Sequence, residues 1–289
     1  MVVGVVTLPL IAFLGNTQKA WIITFGIYGF LTSLFLIITF LGTKERVKPV
    51  KVQTEKFTFA QVIHSIKKNK YWSMIFAYLL LTFVSMTAVG TANVYYAEYI
   101  LKDSMAVGWI VLAQSIPVFI MLFIMSPIIK KFGKRNVALV GLLVSLIGYL
   151  VPLLNVKSIP IVVFATVLKG LGGAPIGATM FAFLADTIDY GEWVSGLRIE
   201  GILFSAGTLG QTLGMGLGSA IVGWLLGAAG FVSGGHTQNE HVLNMIIFIF
   251  IFIPSIFAIL NIIILMFYKL DKMYDRISTD LSNGKLREE

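Results

Sequence analysis

Long apolar runs separated by short polar segments divide this chain into eight stretches. They cover residues 2–14, 19–41, 71–100, 105–129, 136–154, 158–185, 199–230 and 242–268. A helix rises about 1.5 Å per residue, so crossing roughly 30 Å of hydrocarbon takes about 20 residues. Seven stretches meet that length, whereas the first is long enough for only part of a span.

The apolar runs are unbroken, whereas the strands of a membrane barrel would alternate apolar and polar residues. Helices are therefore predicted, since every backbone group in lipid must be bonded within its own segment. Composition agrees, because the chain is 57% hydrophobic and 12% charged, against about 25% charged residues in a soluble domain. The sequence predicts an all-α integral membrane protein.

The net charge of +8 raises the question of a nucleic-acid partner. The basic residues cluster in particular loops rather than along one surface, and we therefore expect no nucleic acid among the partners. The sequence contains no cysteine, which excludes disulfides and thiolate metal sites. Met1 is followed by Val2 and Val3, so no basic region of a cleavable signal peptide is evident.

Lysine and arginine concentrate on one side of the predicted membrane. That side holds most of the 22 basic residues, in segments 42–70, 130–135 and 269–289 and at Arg198. The opposite loops hold only Lys19, Lys102 and Lys157. The positive-inside rule places the first set in the cytoplasm. We predict a multi-pass protein of the cell (cytoplasmic) membrane with a cytoplasmic C-terminus.

The longest polar loop, 42–70, separates the chain into parts. Within it Phe57, Phe59, Ala60, Ile63 and Ile66 fall at near-helical spacing, which predicts a short amphipathic helix on the membrane surface. The predicted organisation is a first part over 1–41, the central loop 42–70, a six-helix bundle over 71–268 and a cytoplasmic tail over 269–289.

The densest charge lies at 185–201, between two glycine-rich apolar stretches. It comprises Asp186, Asp189, Glu192, Arg198 and Glu200. Because most of the chain avoids charge, this segment is predicted to be a polar hinge at a lipid–water boundary, suited to movement rather than catalysis. The basic turn KKFGKRN at 130–136 either signals topology alone or pairs with acidic residues at the ends of neighbouring helices.

Polar residues inside the predicted spans are candidate functional groups. Lys169 lies near the middle of 158–185 and either snorkels or faces a water-filled cavity. The following segment GLGGAPIG, 170–177, predicts a broken helix of the kind found near transporter substrate sites, or else close helix packing. In 71–100, Asn93 and Tyr96 lie toward the outer end, where tyrosines also form the aromatic belt.

The stretch 199–230 carries two stripes at helical spacing. One is glycine, which lets a neighbouring helix approach closely, and consists of Gly207, Gly210, Gly214 and Gly218. The other is polar and suits a hydroxyl-rich ligand; it consists of Ser205, Thr208, Gln211 and Thr212. Gln211 strengthens the case, because its amide needs several hydrogen-bond partners.

The motif DTIDYGEW at 186–193, with Gly196, Arg198, Glu200 and Gly201, resembles the signature of the glycoside–pentoside–hexuronide:cation symporters. This is the melibiose-permease-like branch of the major facilitator superfamily. The resemblance extends to WIITFGIYGFLTSLFLIITFLGTKERV at 21–47, NKYW at 69–72 and KKFGKRN. It covers essentially the whole chain.

The resemblance implies the major facilitator superfamily fold, with twelve helices in two halves and the substrate between them. This chain would supply about seven and a half membrane helices, from the end of the fifth through the twelfth, with 1–41 a remnant of the N-terminal half. The acidic site for co-transported Na⁺ or H⁺, and much of the sugar-binding surface, would lie in the missing half, a possible partner. The remaining expected partners are the sugar or glycoside and the bilayer, with no cofactor and no metal.

The resemblance also assigns roles to residues. Asp186, Asp189, Glu192 and Arg198, with the adjacent Glu200, match a cytoplasmic gate whose ion pairs break and re-form. Substrate contacts are assigned to Thr208, Gln211 and Thr212, with Lys169, Asn93 and Tyr96 as further candidates. Many members carry a lysine at the position of Thr212, and this chain departs from them there.

The function expected is cation-coupled sugar transport by alternating access. One alternative is a nonfunctional fragment or half of a split transporter. A less favoured alternative is a metal-dependent membrane enzyme in which Asp186, Asp189 and Glu192 bind Mg²⁺ on one helical face.

Overall fold

A computed structural model of the protein describes residues 2–15, 17–43, 58–103, 105–234 and 237–287. Throughout these ranges the regular elements are helices. They fall in two compact units, Met1–Phe57 and Thr58–Glu289, which are described separately below.

The first unit is a helical hairpin. Helix α1 covers Val2–Phe13, and α2 covers Gln18–Gly42. Gly15, with φ of +92°, lies in the turn between them, and the hydroxyl of Thr17 caps α2 by accepting from the backbone N–H of Ala20 at 3.3 Å. The hydroxyls of Thr7 and Tyr28 lie 3.2 Å apart and join the two helices.

The second unit contains eight α-helices in the part of the chain that the structure describes. They are α3 (Phe59–Lys68), α4 (Lys70–Tyr95), α5 (Ala106–Phe132), α6 (Lys134–Leu150), α7 (Ile159–Ser195), α8 (Glu200–Ala228), α9 (Glu240–Phe267) and α10 (Tyr274–Ser282). A π-helical turn, Tyr96–Ile100, extends α4, and 3₁₀ turns follow α6 at Val151–Leu154 and precede α10 at Leu270–Lys272.

Seven helices among the described residues are long and apolar enough to cross a membrane: α2 and α4 to α9. This confirms the seven spans predicted from the apolar runs. Thr58 caps α3 through a capping box shared with Gln61, and this helix lies in the segment for which an amphipathic helix is predicted. Phe57, assigned to the same helix, lies outside the described residues, as does the rest of the loop over 44–57.

Small residues set the packing of the second unit. A Cβ added at Gly214 would lie 2.7 Å from the carbonyl oxygen of Leu80, and one at Gly218 would lie 2.5 Å from that of Val84. Helices α4 and α8 therefore approach to backbone contact, as the glycine stripe predicted. Helix α7 packs in the same way against α5 and α6.

The predicted break at 170–177 is wrong. Helix α7 runs through this segment without interruption, with Pro175 inside it. The hydroxyl of Thr179 donates to the Pro175 carbonyl at 2.8 Å, and a Cβ at Gly141 of α6 would lie 2.8 Å from the Pro175 side chain. These glycines allow helices to pack closely, which was the alternative interpretation of the motif.

The predicted hinge at 185–201 also needs correction. Helix α7 continues to Ser195, so Asp186, Asp189 and Glu192 lie on regular helix rather than on a flexible junction. Gly196, with φ of +69°, ends the helix in the left-handed conformation that favours glycine. Helix α8 begins at Glu200, leaving a short turn that contains Arg198.

Candidate functional site

The charge cluster at the end of α7 is organised around one guanidinium. Arg198 Nη1 lies 3.3 Å from Asp189 Oδ1 and 2.5 Å from Glu192 Oε2, and its Nη2 lies 3.0 Å from Glu200 Oε2. Asp189 and Glu192 are three residues apart on α7, which puts them on neighbouring positions of the helix surface. The turn at Gly196 carries Arg198 back to both of them.

This cluster is partly open to solvent. The Arg198 side chain is 47% exposed and that of Glu200 is 50% exposed. Burial acts to lower the pKa of Arg198, but hydrogen bonds and the charges of Glu192 and Glu200 outweigh it and raise that pKa. Exposed ion pairs contribute little to stability, so these contacts can open and close at small free-energy cost.

Asp186 belongs to a different ion pair. It is 3% exposed, and its carboxylate accepts from the ammonium of Lys134 at the start of α6. The next residue, Arg135, donates its backbone N–H to Asp271 Oδ2 at 3.1 Å and its guanidinium to the Leu265 carbonyl at 2.7 Å. The basic turn KKFGKRN thus joins α6 to α7 and to the end of α9.

The tail contributes a residue that the sequence analysis missed. The hydroxyl of Tyr274 donates to Asp189 Oδ2 at 2.9 Å. Its pKa is raised, first by burial and then by its hydrogen bond to this carboxylate. A signal was present in the sequence, because Tyr274, Ile277 and Leu281 recur at helical spacing, which predicts a helix with one packed side.

The predicted substrate residues of α8 lie on an open face. Thr208 and Thr212 are exposed and Gln211 is partly exposed, whereas the glycine stripe is buried. The hydroxyls of Thr208 and Thr212 each donate to the carbonyl four residues earlier, at 3.1 Å. Each hydroxyl oxygen retains acceptor capacity for a ligand. We call Thr208, Gln211 and Thr212 the polar face of α8.

Three other predicted substrate residues are enclosed by helix packing. Lys169 is 3% exposed, and its Nζ lies 3.9 Å from the centroid of the Phe250 ring with no hydrogen-bond partner among the described residues. Tyr96 stacks on the same ring at 3.9 Å and donates its hydroxyl to the Val156 carbonyl at 2.6 Å. Asn93 is 6% exposed. The structure does not bring these residues onto the polar face of α8, and their role in binding stays a prediction.

The geometry does not favour the metal-enzyme alternative. Asp186 faces Lys134, and the carboxylates of Asp189 and Glu192 face Arg198. In the described part of the chain no three His, Asp or Glu side chains are grouped to hold a metal ion.

Residues 1–272 match the family described as MFS/sugar transport protein. The isoprimeverose transporter of Lactiplantibacillus pentosus is 28% identical, over 99% of this chain and 60% of its own length. The glucuronide carrier protein homolog of Escherichia coli K12 is 28% identical, over 92% of this chain and 57% of its own. The inner membrane symporter YicJ of the same strain is 26% identical, over 91% and 57%. These relatives are transporters rather than enzymes, and this chain spans about 60% of their length.

Proposed function

We propose that this chain, which belongs to the MFS/sugar transport protein family, acts in the secondary transport of a sugar or glycoside across the cell membrane. Transport would proceed by alternating access and be driven by co-transported Na⁺ or H⁺. The length of the relatives beyond the matched part leaves room for a second half, which would carry the cation site and share the substrate.

The polar face of α8 carries this proposal. Thr208 and Thr212 present exposed hydroxyls, and the partly exposed Gln211 an amide, beside the glycine stripe by which α8 contacts α4. Sugars are recognised by a few convergent polar groups of this kind. Helix α8 therefore packs on its own unit through the glycine stripe and offers the neighbouring polar face to a ligand.

The charge cluster at the end of α7 supplies the gate in this proposal. The distribution of lysine and arginine supports a cytoplasmic location for this end of the bundle and for the C-terminal tail. Because the Arg198 pairs are partly exposed, they can exchange partners as the cytoplasmic side opens. Asp186 and Lys134 form the buried part of the gate, whose separation costs more.

The test is uptake of radiolabelled isoprimeverose and of a methyl glucuronide by transport-deficient bacteria. The chain is expressed alone and, separately, joined behind the part of the isoprimeverose transporter that precedes the matched region. We expect uptake from the joined protein. Uptake by neither, with both present in the membrane, would contradict the proposal.

The polar face is tested in the protein that transports. Replacing both Thr208 and Thr212 by Val should lower uptake about thirtyfold, because each lost hydrogen bond to the sugar contributes about 1 kcal/mol. The matched control is Thr39→Val in α2, whose hydroxyl donates to the Phe35 carbonyl at 2.8 Å in the same local pattern. Equal uptake by the double variant and the control would remove the substrate role.

A further inference from the structure

The C-terminal segment wraps around the last turns of α7. Trp193, 3% exposed, donates its indole N–H to Asp280 Oδ2 at 3.1 Å, and its carbonyl accepts from the backbone N–H of Arg287 at 2.9 Å. Contacts therefore reach Trp193 from both α10 and the residues after it. A Cβ at Gly196, where α7 ends, would lie 3.2 Å from the Leu286 side chain.

Two guanidinium groups and one apolar side chain strengthen this docking. Arg276 and Arg287 lie 6.0 and 5.6 Å from the Trp193 ring, within the range of cation–π attraction. Ile277 is fully buried at 0% exposure. A buried apolar anchor together with directional contacts fixes the position of α10 more firmly than either would alone.

Tyr274 connects this docked tail to both ion pairs of the gate. Asp189 directs Oδ1 to Arg198 and Oδ2 to the Tyr274 hydroxyl, so its two oxygens have different partners. The ammonium of Lys134, which pairs with Asp186, lies 4.5 Å from the centroid of the Tyr274 ring. One tail side chain thus contacts an acidic residue of the open cluster and the basic residue of the buried pair.

We infer that residues 270–287 form a clamp on the end of α7, in which Tyr274 is a positioning residue that orients Asp189 toward Arg198. The clamp holds the gate residues in their paired arrangement, and release of the tail frees Asp189 and Glu192 to exchange partners. Its importance for gating rests on the proposed transport function. The existence of the clamp does not, and it is testable in the purified chain.

The first test is hydrogen–deuterium exchange of the full chain in lipid nanodiscs. Tyr274→Phe removes one hydroxyl and should raise exchange of the backbone amides in a peptide spanning 190–198 about fivefold, the factor expected for one net hydrogen bond. Tyr95→Phe is the matched control. Tyr95 ends α4, far from the start of that helix, which lies near the last turns of α7, and its ring packs against Phe231. Arg198→Ala should raise exchange of the same peptide and so shows that the peptide reports on the cluster.

A double variant separates positioning from simple packing. If Tyr274 acts through Asp189, then Tyr274→Phe should add little to the exchange already raised by Asp189→Asn. The positioning role would be overturned if the effects of Tyr274→Phe and Asp189→Asn on exchange were fully additive. It would also be overturned if Tyr274→Phe left exchange unchanged while Arg198→Ala raised it.

The second test follows the tail itself. The chain has no cysteine, so Ser282→Cys gives a single attachment point for a nitroxide label at the end of α10. Trp193→Phe, which loses the donor to Asp280 but keeps an aromatic ring, should increase label mobility and also amide exchange over 190–198. Greater label mobility with unchanged exchange would mean that the tail packs without clamping. Because neither readout uses transport, these results stand whether or not sugar uptake is found.

Discussion

Helices α7 and α8 are both rich in glycine, yet they use it differently. In α7, Gly170 lies against the backbone of α5 and Gly172 against that of α6, and the one cation of the helix interior, Lys169, is enclosed by aromatic rings. In α8 the four glycines of the stripe lie against α4 and α7, and the threonines beside them remain exposed. Helix α7 is thus a packed central element, whereas α8 has a fixed face and an open one.

The difference shows what a glycine pattern can establish. A stripe at spacings of three and four identifies the packed face of a helix, as in α8. The glycines at 170–177 of α7 are divided in this respect: Gly170 and Gly172 lie against neighbouring helices, whereas a Cβ at Gly173 or Gly177 would have nothing within 4 Å. Glycines that are close together along the chain therefore do not mark a single packed face. The polar residues beside the glycine stripe of α8 are therefore interpreted as exposed side chains, and Lys169 of α7 as an enclosed one.

The largest expected effect comes from filling the α4–α8 contact. Gly218→Leu would drive a side chain into the backbone of α4 at Val84, and overpacking of this kind costs about 3 kcal/mol. We expect a large drop in the midpoint of thermal unfolding of the purified chain in detergent, or no folded protein. Gly216→Leu is the control, since a Cβ there has nothing within 4 Å. Equal losses in both variants would mean that α8 has no distinct packed face.

A smaller effect is expected at Lys169. Lys169→Met keeps most of the volume between Phe250 and Tyr149. It removes a buried charge to which the described residues offer ring contacts but no hydrogen bond. Replacing buried charges by apolar groups is often neutral or stabilising, by about 1 kcal/mol or more. Lys169→Ala leaves a cavity and should lose about 2 kcal/mol. The midpoint of thermal unfolding should therefore be highest for Lys169→Met, intermediate for the wild type and lowest for Lys169→Ala.

Lys169→Met also tests whether this residue works in transport. If Lys169 only packs, the Met variant keeps uptake of the sugar in the joined protein. Lost uptake at a normal thermal midpoint would instead assign Lys169 to the transport cycle and would make the interior of α7 functional as well as packed.

Much of the fold follows from the sequence because the bilayer limits the possible solutions. Apolar runs of sufficient length must be helices, and seven such helices are present among the described residues. The end of α7 was misplaced by ten residues, because the onset of charge marks a change of surroundings rather than the end of a helix. The helix ends where Gly196 allows a positive φ.

The candidate site was predictable in its residue types but not in its partners. The charges at 186–200 stood out by contrast with an apolar chain, yet spacing alone could not show that Asp186 faces Lys134 while Arg198 holds Asp189. Those pairings depend on how α6 and the tail pack, which is long-range information. Tyr274 was missed for the same reason, since its contact with Asp189 exists only when α10 is docked against α7.

The smallest effect compares the same substitution in the two helices. Thr179 of α7 is fully buried and donates to the Pro175 carbonyl at 2.8 Å, whereas Thr212 of α8 is exposed and donates to the Thr208 carbonyl at 3.1 Å. Thr→Val removes the same hydroxyl in both. The buried change should lower the free energy of unfolding by about 1 kcal/mol, and the exposed change by no more than about 0.5 kcal/mol.

Chemical denaturation of each variant against the wild type measures this difference. An equal loss at both positions would mean that Thr212 is as enclosed as Thr179, and the polar face of α8 would no longer be available to a sugar. If Thr212→Val were as stable as the wild type but had reduced uptake, the Thr212 hydroxyl would contribute to substrate binding and not to folding. That outcome would also show that removing a hydroxyl from the polar face of α8 does not weaken the packing of its glycine stripe.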